Sequence, residues 1–173
     1  MATISRVGYG QVEPNHLSAQ GNRQIYAQLP LDSEIETLEN GQFMKYNYAG
    51  GKVGLDGDGE FMLVYNEVKL YDGRDSYKDF AMTKDNYVNG EIYPRLFKTN
   101  IGDIYTTNCV GAANTKGATY AGIDLEVGNK LTVNASTGYL EKNNSASTGM
   151  VWQVVKVYDM PDGQPAVKLQ RIS

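Results

Sequence analysis

The sequence predicts a mainly β protein, a small β-barrel or sandwich with an extended N-terminal arm. Turn pairs recur at short intervals: Asn40-Gly41, Gly50-Gly51, Asp72-Gly73, Asn89-Gly90, Gly128-Asn129 and Pro161-Asp162-Gly163. Such pairs supply the positive φ and preset φ values that tight turns require. Between them apolar residues alternate, and no segment longer than about ten residues keeps a 3.6-residue period. The third observation is 13 Tyr against 1 Trp and 4 Phe, because tyrosine suits half-buried strands and wet interfaces.

Residues 1–30 read as the arm. Their apolar side chains follow neither strand nor helix period and are scattered among Gly, Asn, Gln and Ser. A segment of this kind is expected to order on a partner, with Ile4, Val7, Tyr9, Ile25 and Tyr26 as its apolar anchors. Residues 31–173 read as the β-rich domain, with 31–85 and 86–173 as possible sub-units. A short helical turn is expected within 32–39. Phe43 to Tyr48 then reads as a strand, and Glu60 to Tyr71 as the longest strand candidate, with Met62, Val64, Val68 and Leu70 on one face. Pro94 marks residues 91–98 as an edge strand or bulge. Strands follow at 104–110, 130–133, 139–141, 150–158 and 166–172, the last two closed by the Pro161-Asp162-Gly163 turn. Trp152 lies in the most apolar of these and reads as core.

Composition excludes several functions. The formal net charge is −4, which argues against a general nucleic-acid binder. No stretch approaches the ~18 apolar residues of a membrane span, and Met1 to Gly10 lack the apolar run of a cleaved secretory signal. Cys109 and His16 are each single, so an internal disulfide and the usual Cys/His zinc site are excluded. The acidic excess gathers in the first half, at Asp32, Glu34, Glu36, Glu39, Asp56, Asp58 and Glu60.

Candidate sites are few. Asp56, Asp58, Glu60 and Glu67 stand where an EF-hand loop places its oxygen ligands, but the sixth position is Phe61 in place of the required Gly, and strand follows in place of helix. A Gly-rich hairpin turn with solvated acids is the preferred reading, these four side chains remaining the metal candidate. No catalytic pair or phosphate loop emerges, so no enzyme activity and no cofactor is expected. Tyr46, Tyr48, Tyr65 and Tyr71 share strands with charged and amide side chains and are the candidate interface tyrosines.

Three stretches carry a resemblance: Met1-Ala2-Thr3-Ile4-Ser5-Arg6 running into the arm; Leu38 to Tyr46; and Gly128 to Val133, Ser136 to Leu140 and Val154 to Ile172 around Pro161-Asp162-Gly163. Together they resemble the head-decoration, or capsid cement, proteins of tailed bacteriophages. The resemblance implies a non-enzymatic virion protein, made in the host cytoplasm and carried on the capsid surface. It would bind between major capsid protein subunits, most readily as a homotrimer, with no nucleic acid or membrane partner. The alternative expectation is a phage tail, fibre or other carbohydrate-binding virion module that stacks sugars on tyrosine.

Overall fold

The computed structural model describes residues 1–66, 80–84, 91–111 and 122–173. The chain is mainly β, built from several antiparallel sheets, and these residues form no closed barrel. A six-stranded sheet joins β2 (Val12–His16), β10 (Ile104–Thr107), β12 (Lys130–Val133), β13 (Leu140–Lys142), β14 (Val151–Asp159) and β15 (Pro165–Arg171). Their spatial order is β13-β12-β14-β15-β10-β2. A five-stranded sheet has the order β3-β9-β7-β5-β6, from β3 (Ile25–Tyr26), β5 (Phe43–Asn47), β6 (Lys52–Gly54), β7 (Met62–Val64) and β9 (Leu96–Phe97). Two short pairs complete the fold: β1 (Ala2–Ile4) with β11 (Ile123–Leu125), and β4 (Thr37–Glu39) with β8 (Ala81–Thr83).

The five-stranded sheet is buried on both faces, and its register shows how. Phe43 lies opposite Leu63, Leu63 opposite Phe97, and Phe97 opposite Ile25. That row faces the larger core, where Leu131, Trp152, Val154, Val167 and Leu169 of the six-stranded sheet meet it. The alternate residues point the other way. Met44 lies opposite Met62, and Leu96 opposite both Val64 and Tyr26, above a second core that includes Leu38, Val53 and Met82. A strand covered on both faces has no polar side to show, which is why Phe61 to Val64 is a continuous apolar run. Trp152 is fully buried, with Tyr105 edge-on at 5.0 Å and Phe43 at 5.9 Å.

The N-terminal segment is extended, as expected, but it is not unpacked. β1 pairs with β11, and β2 is the edge strand of the six-stranded sheet, where Pro14 costs no ladder bond on the solvent side. Ile4 is completely buried, and Val12, Leu17 and Ala19 join the larger core. This corrects the reading of residues 1–30 as an arm that hides its apolar groups only on a partner. Strands from far along the chain supply the covering surface, a contact that local periodicity does not record. The described strands of 31–85 and 86–173 also share a sheet, since β9 pairs with β7. The single helix among the described residues is α1 (Ser18–Asn22), inside the former arm. Residues 32–39 hold a turn closed by the Ile35 N–H on the Asp32 carbonyl, followed by β4, in place of the expected helical turn.

Candidate functional site: a tyrosine pocket

Alternation along β5 carries Met44 and Tyr46 to the second core and leaves Tyr48, just past its end, at the rim. Tyr26 reaches the same place from β3. The Tyr26 ring stands edge-on to Tyr46 at 5.5 Å, and Tyr48 meets Tyr46 edge-on from its own side at 5.6 Å. Tyr46 is buried, and its hydroxyl accepts the Gln28 N–H at 3.1 Å and donates to Gln28 Oε1 at 3.3 Å. Burial pushes the Tyr46 phenol up, so it acts as a neutral donor. Tyr48, by contrast, is 67% exposed.

The turn after β6 brings acids to these rings. Asp58, Gly59 and Glu60 line an open pocket of about 160 Å³ with the three tyrosines, Met62 and Lys98. Glu60 is held from outside the pocket by an ion pair with Arg171, at the end of β15. Gly59 has φ of +91°, and a side chain there would meet nothing within 4 Å, so this wall stays low and the pocket open.

The pocket therefore gathers residues that the sequence had placed in separate proposals: Tyr26 from the arm, Tyr46 and Tyr48 from the interface, Asp58 and Glu60 from the metal loop. The described residues lend the metal candidate no support. Among the described residues no three His, Cys, Asp or Glu side chains converge. Glu60 is engaged by Arg171, and Asp56 lies on the other side of the turn, beside Gly54 and the Asp32–Lys52 ion pair. Glu67 and Tyr71 lie outside the described residues. Ile4 and Tyr9 are buried in the protein itself, Tyr46 is the pocket's inner wall, and Ile25 and Tyr65 pack half-buried on the larger core, Tyr65 against Phe97 at 5.5 Å. Ile4, Tyr9 and Tyr46 are corrected as partner contacts, because their side chains are already buried, whereas Ile25 and Tyr65 keep part of their surface exposed. Val7 is 62% exposed and remains a contact candidate. Lys98 and Arg171 were not singled out by sequence reasoning. Each follows or ends a short strand with no local motif, and only the fold brings it to the acids.

A second cluster is structural. Arg6 and Glu39, both about 1% exposed, share two hydrogen bonds, and the Tyr139 hydroxyl donates to Glu39 Oε2. Burial works against the Arg6 charge, but its surroundings at Cys109 and Glu39 outweigh this and its pKa is raised. Cys109 is completely buried, and burial pushes its thiol up to about 12. Such a thiol is protonated at neutral pH and is a poor nucleophile. No family model, curated protein or solved structure matches this chain.

Proposed function

We propose that this chain is a non-enzymatic virion structural protein that decorates the head of a tailed bacteriophage and stabilises it by binding between major capsid protein subunits. The three resembling stretches motivate the reading, and the presentation of Val7 is the observation that carries it. Val7 projects from a segment whose neighbours Arg6, Gly8 and Tyr9 are buried, and its N–H donates to Gln164 Oε1 at 2.9 Å. An apolar side chain on a fixed backbone binds without the ordering cost that a mobile arm would meet. The first residues thus act as a rigid lip of the β domain. One lip contributes modestly, and repetition around a symmetric shell, with copies grouped as trimers, multiplies it.

The test uses the full chain and expanded heads of the phage that encodes it. Co-sedimentation with the heads and a rise in their melting temperature are expected. Val7→Asp should remove both while leaving the melting temperature of the free protein unchanged. Heads that bind none of the chain, or reconstructed particles carrying it on the tail alone, would overturn the proposal.

A further inference from the structure

We infer that the tyrosine pocket is a saccharide site that takes one neutral sugar ring, the terminal residue of a glycan. Its walls are aromatic and its rim is polar. Tyr48 offers an exposed ring and Tyr26 a half-buried one, on either side of Tyr46, whose hydroxyl is committed to Gln28. Such faces suit the apolar C–H side of a pyranose, which stacks on an aromatic ring while its hydroxyls remain free to bond.

The charges choose among ligands. Among the described residues Asp58, Glu60 and Lys98 line the pocket, and Arg171 neutralises Glu60 from outside it, so the remaining carboxylate and ammonium balance. A cationic ligand in an aromatic cage needs a negative surround, and an anion needs a positive one. A neutral polyol needs acceptors and donors together: carboxylates to receive its O–H groups and an ammonium to donate to its oxygens. The volume, about 160 Å³ and open, is below that of sites for drug-sized ligands, so it fits one ring with the rest of the glycan outside.

This site does not depend on attachment to a phage head. The probes are neutral monosaccharides (glucose, galactose, mannose and N-acetylglucosamine) in saturation-transfer NMR with the full chain, followed by a glycan array. At least one neutral sugar should bind. Tyr48→Ala should weaken it by roughly tenfold or more, the order expected for loss of one stacking ring, and Asp58→Asn should weaken it too. Both positions are exposed, so neither variant should alter the melting temperature. Asp58→Asn should leave head attachment intact, and Val7→Asp should leave sugar binding intact, which separates failure of this site from failure of the decoration reading. Absence of binding by every neutral sugar, binding that Tyr48→Ala leaves unchanged, or choline binding in place of sugar would overturn the inference.

Discussion

Arg6 and Glu39 face each other through two parallel hydrogen bonds of 2.9 and 3.0 Å, the fork-to-fork pairing of a guanidinium with a carboxylate, sealed from solvent. The Gly10 N–H at 3.3 Å and the Tyr139 hydroxyl add to the same carboxylate. One pair thus ties the N-terminal segment, β4 and the turn before β13 together. Removing one partner leaves a buried charge uncompensated, a loss of about 3–5 kcal/mol, whereas replacing both with apolar residues of similar volume is often tolerated. Arg6→Met and Glu39→Met should each lower stability by that order in denaturant unfolding, and the double variant should recover much of the loss.

Deletion of residues 1–10 is a more severe version of the same cut. It removes β1, the buried Ile4 and the Arg6 ion pair, and it uncovers β11. Ile4 alone accounts for about 1.5–3 kcal/mol of burial. The truncated chain should be unfolded or lose most of its cooperative transition by circular dichroism. A transition unchanged from the full chain would restore the arm as a separate unit.

Cys109 reports on the same region. Gly10 and Gly41 press against it: a Cβ on Gly10 would lie 2.6 Å from its sulfur, and one on Gly41 2.5 Å from its Cβ. Gly41 also has φ of +98°, which a side chain disfavours. Gly41→Ala should therefore destabilise by more than the ~1–2 kcal/mol of the backbone conformation alone. Ellman's reagent should label native Cys109 only as fast as the protein opens, and Gly41→Ala should speed that labelling.

The fold class was legible because turn chemistry and alternation are local. Lys130 to Val133 lies where the strand spacing put it, and the Pro161-Asp162-Gly163 turn does join β14 to β15. The N-terminal strands were not legible, because what hides Ile4 is β11, more than a hundred residues away. Asn40 shows a second limit. It reads as half of a turn pair, yet its side chain also pairs with the Asn66 backbone, receiving its N–H at 2.7 Å and donating to its carbonyl at 3.0 Å. Of the pocket, the tyrosines and acids carried a compositional signal. Their convergence did not, since it depends on Leu96 lying between Tyr26 and Val64.

Asp162 gives the last prediction, a pH dependence. It sits in the β14–β15 turn, where Oδ2 accepts from Gln11 Nε2 and from Gln164 Nε2, each at 2.7 Å. Burial alone would raise its carboxyl pKa. The hydrogen bonds from Gln11 and Gln164 favour the charged form more strongly and hold the pKa below the ordinary range. A pKa depressed in the folded state means that the unfolded chain binds the proton first as pH falls. The stabilisation is thus complete above the unfolded value of about 3.9 and is lost as pH falls through the lower folded value. Asp162→Asn should be less stable than the native chain by a constant margin from pH 7 to about pH 5, and the margin should shrink below about pH 4. Urea unfolding of both proteins across that range is the measurement. A margin that stays constant down to the acid transition would show that the Gln11 and Gln164 bonds do not distinguish the charged carboxylate from the neutral acid.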